Sequence, residues 1–349
     1  MARRTPQYPG LPVSYSTVLD PLSNQSLDYR RSERWRGDSS QVPLDAFSPS
    51  DREAITTIYQ RLRTIQTAME EVGYENEEAV SVFRSYLLED QRWRDLLEAA
   101  RRITDPPQRD DVDRHLFRQV KHDICGGALS QLIGICQLLQ SRALEPREVA
   151  KGYLRIRDHT KIMRNGLPEL DPEVHARDQA ERMHHVDLIV DKWSHAALEQ
   201  GGDRVDVQVQ CDFSGPISDR CVEFSALDRV LYNLMNNATE HTIDGRVELY
   251  ITASEDGQQL VLAVVNQVGA RRASELKEYF GGTDLRRLFD GGYTTGGHGV
   301  GLSICAEFVG FAFGVTPSQA RDEGYVGARL VDDHFMAWVH WPVVSEEFQ

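Results

Sequence analysis

The periodicity of apolar and polar residues changes along the chain and divides it into four segments. Residues 1–48 show little periodicity and are rich in Pro, Ser, Arg and Asp, a composition that predicts an extended or disordered tail. Residues 49–105 show a helical pattern that opens behind N-capping residues and stops at the paired prolines of DPPQRD, because consecutive prolines cannot continue a helix. The second segment is therefore predicted to be helical, and its pattern does not indicate its role.

The third segment, residues 109–170, has the pattern of a helical hairpin. One long helix is predicted over 111–143, and a second follows the turn ALEPRE. Apolar positions recur in steps of four and three, at Val120, Ile124, Ala128, Leu132, Ile135 and Leu139 in the first helix and at Val149, Tyr153, Ile156, Thr160, Met163 and Leu167 in the second. This is the period of helices packed in a bundle. Two helices alone bury too little apolar surface, so we expect a homodimer through the hairpin, which would complete a four-helix bundle.

The last segment, residues 180–345, follows a linker near 168–180 and mixes strand and helix patterns. The predicted elements are a strand at 205–210, a helix at 224–241, a hairpin of RVELYITAS and QQLVLAVVN, a helix after Gly301 and a closing strand at 335–344. A polar, glycine-containing stretch covers 269–299. This order predicts an α+β sandwich in which helices cover one face of a single sheet. The chain is thus expected to be mostly α in its N-terminal part and α+β in its C-terminal part.

Composition narrows the class of protein. Lys and Arg number 39 against 54 Asp and Glu, a formal net charge of −15, which argues against nucleic acid as the main partner because phosphate binding needs clustered positive charge. No apolar run approaches the roughly 20 residues of a membrane helix, and the N-terminus lacks the apolar core of a secretory signal. The five cysteines form no CxxC pair, which favours a reducing, cytoplasmic setting.

Glycines are concentrated in YTTGGHGVGLSICAEF, residues 293–308, directly before an apolar helical run. Glycine costs roughly 0.5–1 kcal/mol relative to alanine inside regular structure, so the spacing Gly297-x-Gly299-x-Gly301 needs a reason. One reason is that bare backbone N–H groups approach a phosphate at the N-terminus of a helix, where the dipole also favours an anion. The alternative is a flexible surface loop.

His122 differs from the other histidines by its place on the predicted hairpin. It lies two residues from both Val120 and Ile124, and at about 100° per residue this places it on the solvent side of its helix. Asp123 adjoins it, and the small pair at 126–127 clears space beside the imidazole. A neutral imidazole is a competent nucleophile, and a carboxylate that accepts its Nδ1–H would orient the ring. The alternative is an ordinary exposed His-Asp pair.

Two further motifs resemble those of a known superfamily. VLYNLMNNATEHT at 230–242 matches the NLxxNAxxH pattern of the N-box, and LFDGGYTTGGHGVGLSI at 288–304 resembles the F-box followed by the G2 box of histidine kinases. VKHDI, around His122, resembles the phosphoacceptor H-box of a dimerisation and histidine-phosphotransfer hairpin. Over roughly residues 111–345 the chain is therefore similar to histidine kinases of the GHKL ATPase superfamily, which also includes gyrase and the heat-shock chaperones. The resemblance implies a GHKL (Bergerat-type) ATP-binding domain in the sandwich.

The same resemblance implies the site residues, the cofactors and the partner. Asn233, Asn237 and His241 would lie on one face of a helix, and Asn237 with Asn233 would hold Mg²⁺. The other ATP-binding residues would be Asn266 at the adenine and, at a triphosphate covered by a lid at 269–299, Thr294, Thr295, Gly297, Gly299, Gly301 and Leu302. His122, helped by Asp123, would attack the γ-phosphorus of ATP. The phosphoryl group would then pass to an aspartate on a response-regulator receiver domain.

The adenine-binding G1 box departs from the family's pattern. The family has DxGxG, whereas this chain has NQVGA, so that Asn266, Val268 and Ala270 replace the aspartate and both glycines. Asn266 keeps a carbonyl oxygen that can accept a hydrogen bond from the adenine amino group. Because charge-assisted hydrogen bonds are roughly twice as strong as neutral ones, we expect weaker nucleotide binding.

Two basic positions and one dephosphorylation position are also changed. Lysines that are frequent in the family are replaced by Glu240 in the N-box and by Gly296 after the lid threonines. The cations that could compensate are Arg286, Arg287 and His298. Gly126 stands where the family uses Thr or Asn to orient water for dephosphorylation. The pattern therefore favours kinase or phosphotransfer activity over phosphatase activity.

Three functions remain open from the sequence. The first is a histidine kinase that phosphorylates His122 from Mg-ATP. The second is a phosphotransfer or scaffold protein with a degenerate nucleotide pocket, which would receive phosphate on His122 from another kinase. The third is a GHKL ATPase or serine kinase without histidine chemistry, which the hairpin around His122 argues against.

Overall fold

The chain forms two compact units, which we call the helical unit and the sheet unit. The computed structural model describes residues 10–17, 19, 41–74, 76–104, 107–109, 111–140, 144–194, 196–200, 203–254, 257–293 and 301–344, apart from the side chains at 147, 181, 182 and 197. The helical unit comprises residues 37–180 and 197–204, and the sheet unit comprises 1–36, 181–196 and 205–349. Within the described ranges, no helix combines the length and the apolar character needed to cross a membrane.

The helical unit contains the two N-terminal segments and the hairpin. Helices are numbered in chain order. The first, α1 at Val13–Ser16, belongs to the sheet unit. The helical unit has α2 Pro49–Val72, α3 Glu77–Phe83, α4 Trp93–Arg102, α5 Arg114–Cys125, α6 Gly127–Leu139, α7 Pro146–Gly166 and α8 Pro172–Asp178. A π-helical turn, Arg84–Leu88, follows α3. At the start of α2, the Ser48 hydroxyl accepts a hydrogen bond from the Asp51 N–H at 3.1 Å, an N-cap that agrees with the sequence pattern.

One hydrophobic core joins the N-terminal helices to the hairpin. All twelve predicted seam positions are buried, including Thr160, which is the polar residue among them. They pack with Ile58 and Leu62 of α2, Phe83 of α3 and Leu96 of α4, and α2 and α3 both contact α7. A single chain therefore buries the seam, and residues 49–105 and 109–170 are not separate domains. The burial argument for a second chain no longer holds, so the homodimer remains an expectation from the family resemblance alone.

The predicted long helix over 111–143 is two helices. Gly126 has φ −120° and ψ −149°, which is outside the helical region, and Gly127 has φ +51°. A left-handed φ favours glycine because other residues pay a steric cost there. The Gly126 N–H still donates to the His122 carbonyl at 2.8 Å, so α5 closes its last turn before α6 begins. The pair of glycines thus interrupts the helix directly after Cys125, about one turn beyond His122.

Two stretches expected to be irregular are folded in this unit. Residues 41–48, predicted as part of a tail, bury Val42, Ala46 and Phe47, and the Phe47 ring lies 4.5 Å from that of Phe117. The expected linker near 168–180 contains α8. Asp171, which caps α8, accepts a hydrogen bond from the Tyr59 hydroxyl at 2.9 Å. The tail and linker predictions are therefore wrong at these residues, because apolar side chains and this cap attach both stretches to the helical core.

The sheet unit is an α+β sandwich, which confirms the predicted fold class. Its elements after α1 are β1 Glu181–His185, α9 Asp187–Ser194, β3 Asp203–Cys211, β4 Pro216–Arg220, α10 Cys221–His241, β5 Arg246–Ala253, β6 Gln259–Gln267, α11 Ala270–Phe280, α12 Gly301–Phe313, α13 Pro317–Asp322, β7 Val326–Val331 and β8 His334–Pro342. Its sheet has five strands in the order β3-β5-β6-β8-β7. The strand β2, Ala197–Gln200, is counted with the helical unit.

The central hairpin of the sheet has the predicted form. β5 and β6 pair antiparallel, with Val247 opposite Asn266, and β6 also pairs with β8, the predicted closing strand. Residues 260–266 of β6 are all buried, so both faces of the sheet are covered at this strand. α10 packs on β6, and α12 packs on β8. These two helices carry five of the ten residues predicted to bind the nucleotide.

The face of the sheet that does not pack on these helices is covered by the N-terminal residues of the chain. Leu11, Tyr15 and Leu19 pack against a row of sheet residues. That row is Tyr250, Val261, Ala263, Val265, Met336 and Trp338. The prediction of an extended tail is therefore wrong at residues 10–17 and 19, since three apolar side chains at spacings of four attach them to the sheet. We call residues 10–17 and 19 the N-terminal arm.

Candidate functional site

The N-box residues lie along one side of α10. Their spacing of four places Asn233, Asn237 and His241 on a common helical face. Asn233 is buried, with 8% of its surface exposed. Asn237 and His241 are half-buried. This face of the helix is therefore buried at Asn233 and partly exposed to solvent towards the end of the helix, at Asn237 and His241.

The G2 helix begins beside this face. α12 starts at Gly301, and a Cβ at that position would lie 3.5 Å from Asn233 Oδ1. Leu302 is half-buried in the same turn. Thr294, Thr295, Gly297 and Gly299 lie outside the described residues. The structure thus brings Gly301 and Leu302, far from the N-box in sequence, to the N-box helix.

Asn266, the residue predicted to bind adenine, lies near the end of the central strand β6. It is the penultimate residue of β6, between Val247 of β5 and Phe335 of β8 in the register, and only 2% of its surface is exposed. Its Nδ2 lies 3.5 Å from the Gln267 carbonyl, whereas its Oδ1 has no hydrogen-bond partner among the residues that the structure describes. A buried acceptor without a partner costs about 1–3 kcal/mol. An amino group such as that of adenine would satisfy it, so this residue fits the predicted ligand.

The changed G1 box has a backbone that does not need the missing glycines. Val268 is buried, with 2% exposure, and Gly269 has φ −64° and ψ 147°. None of the residues at 266–270, all of them described, has a positive φ. Val268 and Ala270 are therefore accommodated without strain. The stretch at 269–299, expected to be an irregular lid, begins with α11 and includes a 3₁₀ turn at Arg286–Asp290.

Arg272, on the first turns of α11, is a site residue that the motifs did not indicate. Its Nη1 donates to the Tyr293 hydroxyl at 3.0 Å, and its charge, after the larger effect of burial, lowers the pKa of His241. The segment before it meets the end of α10, since the Ile243 N–H donates to the Gln267 carbonyl at 3.1 Å and a Cβ at Gly269 would lie 3.6 Å from Cγ2 of Ile243. Arg272 follows three residues after Gly269, at this end of the N-box face. The signal that could have located it is the apolar spacing of Ala273, Leu276 and Phe280, which predicts a helix directly after the G1 box.

The residues present fit a magnesium ion held jointly with a nucleotide. Among the described residues, no group of three or more His, Cys, Asp and Glu side chains could hold a metal ion. Asn233 and Asn237 share one face of α10, and amide oxygens are among the oxygen ligands that Mg²⁺ accepts. Mg²⁺ usually keeps several waters and takes phosphate oxygens as further ligands. Two amide ligands therefore complete the coordination of Mg²⁺ only if phosphate oxygens of the nucleotide and water supply the remaining ligands.

His122 lies in the helical unit, in the last turn of α5. Its side chain is 19% exposed, less than a solvent-facing position predicts, and its Nδ1 lies 3.6 Å from Oδ1 of the buried Asp123. This separation is slightly longer than a hydrogen bond. A Cβ at Gly126 would lie 3.8 Å from both Nε2 and Cε1 of His122. The bare glycine therefore leaves the nucleophilic nitrogen uncrowded on that side.

Comparisons with known proteins agree with the sheet unit's features. The family model described as histidine kinase-, DNA gyrase B- and HSP90-like ATPase matches residues 223–329. No curated protein sequence matches the chain. Three solved structures show weak similarity. The catalytic domain of histidine kinase ThkA is 18% identical over 51% of this chain and 95% of that chain, with a TM-score of 0.27. Full-length ShkA in complex with AMPPNP is 16% identical over 66% of this chain and 45% of that chain, with a TM-score of 0.31, and histidine kinase AdeS of Acinetobacter baumannii is 12% identical over 62% and 96%, respectively, with a TM-score of 0.24.

Since these TM-scores lie far below 0.5, the family match is the basis for assignment. The matched range begins in α10 and ends in β7. It includes the N-box face, the G1 position Asn266 and the start of α12, where Gly301 lies beside Asn233. Residues 223–329 are therefore an ATPase domain of the histidine kinase-, DNA gyrase B- and HSP90-like family.

Proposed function

We propose that the chain is a protein-histidine kinase, in which ATP bound by the sheet unit phosphorylates His122 of the helical unit. The observation that carries the proposal is the unpartnered Oδ1 of Asn266, buried at the position where the family binds adenine. A protein whose nucleotide pocket had lost its function would gain stability by replacing such an atom with an apolar group. Its retention favours a pocket that still binds adenine over the degenerate-scaffold alternative.

The proposed chemistry needs few groups from the protein. The lone pair of His122 Nε2 forms a bond to the γ-phosphorus, the bond from that phosphorus to the β–γ bridging oxygen breaks, and ADP leaves. The ring then carries positive charge, which the carboxylate of Asp123 stabilises from the Nδ1 side. A small contraction of the 3.6 Å separation would make this a hydrogen bond. In phosphoryl transfer the protein acts mainly by positioning and electrostatics.

Asn237 and Asn233 are proposed to hold Mg²⁺, which when bound neutralises charge on the phosphates. Gly301 and Leu302, at the beginning of α12, are proposed to bind the triphosphate through their backbone N–H groups, since the N-terminus of a helix favours anions. His241 is proposed to complete the phosphate-facing side of α10. Each role requires only the placement already described for these side chains.

The partner proposed to receive the phosphoryl group is an aspartate on a response-regulator receiver domain. A phosphohistidine has a labile N–P bond and so can donate to a carboxylate. Dimerisation through the hairpin is retained only as a family expectation, because one chain already buries the apolar seam.

The test is phosphorylation of the purified full chain by γ-labelled ATP and Mg²⁺. We expect acid-labile, alkali-stable label that disappears in His122→Gln and persists in His115→Gln, a matched control because His115 is an exposed histidine on the same helix. Asn237→Ala should abolish Mg-dependent nucleotide binding. Label that survives His122→Gln would overturn the assignment of the phosphoacceptor.

Two other outcomes correspond to the alternatives. A protein that neither binds ATP nor becomes labelled, but accepts phosphate on His122 from another kinase, would be a phosphotransfer or scaffold protein. ATP hydrolysis without histidine label would indicate an ATPase that does not use His122. The sequence and structure together favour the kinase over both.

A further inference from the structure

The N-box face lacks a positive charge at the position where the family often has one. Glu240 replaces the lysine, and this exposed carboxylate adjoins His241. Two like charges 4 Å apart repel by about 1–4 kcal/mol, depending on the effective dielectric constant. A triphosphate bound along α10 therefore needs a cation from another element.

Arg272 has the contacts expected of such a cation. It is the third residue of α11, the helix that starts three residues after the end of β6. The guanidinium is fixed from one side by Tyr293, through the 3.0 Å hydrogen bond and a ring whose centroid lies 5.3 Å from Cζ. Its Nε is buried and has no hydrogen-bond partner among the described residues. Within the described part of the chain, no carboxylate forms an ion pair with it, so its charge is available to a ligand.

Three other arginines of this region lie close to carboxylates or are largely exposed to solvent. Arg271 is 94% exposed and pairs with Glu275 at 2.8 Å. Arg286 pairs with Asp284 at 2.9 Å, and Arg287 lies 4.0 Å from a carboxylate oxygen of Asp290. Of the cations that the sequence offered for compensation, Arg286 is therefore paired with a local carboxylate, and Arg287 is 76% exposed. His298 lies outside the described residues.

We propose that Arg272 is a nucleotide-binding residue that supplies, from α11, the positive charge which the N-box lost at Glu240. Its guanidinium would donate from Nε and Nη to a phosphate oxygen, while Tyr293 acts as a positioning residue through the remaining nitrogen. Arginine suits this role because its planar fork matches phosphate geometry and is always charged. This inference rests on the proposed function, since it requires that the triphosphate lies along the N-box.

The test compares three ligands on the full chain: Mg-ATP, Mg-ADP and adenosine, each titrated calorimetrically. Arg272→Gln should weaken Mg-ATP binding by roughly tenfold to 100-fold, the range expected for one lost hydrogen bond to a charged group. Adenosine affinity should stay within about twofold, because Asn266 is unaffected. Arg271→Gln is the matched control and should bind all three ligands like the wild type.

A rescue variant separates a charge effect from damage to the fold. If Arg272 replaces the missing lysine, Glu240→Lys in the Arg272→Gln background should recover most of the lost ATP affinity, and Arg272→Lys alone should keep more than Arg272→Gln. Unchanged ATP affinity in Arg272→Gln, or an equal loss of adenosine binding, would overturn the proposal. A wild-type chain that binds no nucleotide would instead overturn the proposed function, and this inference with it.

Discussion

The environment of His122 depends on what Gly126 lacks. A Cβ at position 126 would lie 2.9 Å from the His122 carbonyl oxygen and 3.8 Å from Nε2. The first distance is shorter than real Cβ contacts, so the backbone at the end of α5, which carries His122, would have to move. The second places a methyl group beside the proposed nucleophile. A substitution here should therefore act on the geometry of attack.

Gly126→Ala is expected to reduce phosphorylation of His122 by roughly tenfold or more, since small displacements of a reacting group have effects of that size. Nucleotide affinity should not change, because the residue lies outside the ATPase domain. Gly134→Ala, in the interior of α6 with no atom within 4 Å of the added Cβ, is the control. It should keep full activity and raise stability by about 0.5–1 kcal/mol. Rates of label incorporation and thermal unfolding of both variants measure this, and equal rates would contradict the steric argument.

Asn266 allows binding to be separated from stability. Asn266→Leu removes the unpartnered buried acceptor, so we expect a more stable sheet unit, by about 1 kcal/mol or more, and at least roughly tenfold weaker ATP binding. Asn266→Asp keeps an acceptor but buries a carboxylate, so we expect retained adenine binding and lower stability. Thermal unfolding and ATP titration would show opposite effects in the two variants. If Asn266→Leu binds ATP normally, the acceptor role is wrong.

Site residues could be predicted where a motif depends on spacing within one element. Asn233, Asn237 and His241 share a helical face whatever surrounds the helix, and the structure places them so. Arg272 could not be identified by the same means, because its relevance depends on how α11 turns back towards α10 after β6. The distance between two elements is a property of packing, which a local pattern does not contain.

At the scale of elements, the N-terminal arm covers the face of the sheet that does not pack on α10 and α12 and excludes water from it. Leu11 and Tyr15 are buried with 4% and 9% exposure, whereas Val13, between them, is 70% exposed. The Tyr15 ring lies 5.9 Å from that of Tyr250 in β5. Burial of a large apolar side chain contributes about 1.5–3 kcal/mol. The arm is therefore part of the sheet unit's core, although most of the helical unit separates it in sequence from the rest.

Leu11→Asp is expected to destabilise the sheet unit by about 2–4 kcal/mol, from lost apolar burial and the cost of a charge at the interface. Val13→Asp is the matched control, because the same charge is added two residues away on the exposed side. It should unfold at the wild-type temperature. Thermal unfolding, with binding of a hydrophobic dye to the uncovered sheet, distinguishes the variants, and equal stabilities would show that the arm does not contribute.

Element-level predictions succeeded where periodicity decides and failed where distant residues decide. The β5–β6 hairpin, α10 and the seam of α5 to α7 follow from strong alternation. The break after Cys125 was missed because the apolar stripe continues through the two glycines, so the period alone favours one helix. The arm was missed because three apolar residues in a polar stretch have no visible partner in the sequence; their partners are more than 200 residues away.

At the scale of the whole molecule, the two units have separate hydrophobic cores. The helical core contains residues of α2 to α7 and of the segment at 41–48, and the sheet unit's residues pack among themselves and with the arm. The sequence suggested a different division, in which a short hairpin depended on a second chain. In the structure, the N-terminal helices and not a second chain bury the seam of the hairpin. This explains why residues 49–105 have a helical apolar pattern without any motif.

Separate cores predict that nucleotide stabilises one unit and not the other. At a concentration 100 times its Kd, a ligand that binds only the native state stabilises it by about 2.7 kcal/mol. We therefore expect Mg-AMPPNP to raise the unfolding temperature of the sheet unit and to leave that of the helical unit unchanged. Ile58→Ala, a fully buried residue of α2, should lower only the helical transition, by about 2–5 kcal/mol in free energy. Calorimetry with hydrogen exchange, which identifies the residues that open in each transition, measures both effects. A single transition that nucleotide and Ile58→Ala shift together would mean that the units unfold as one, and the burial of apolar surface within each unit would not account for the stability of the chain.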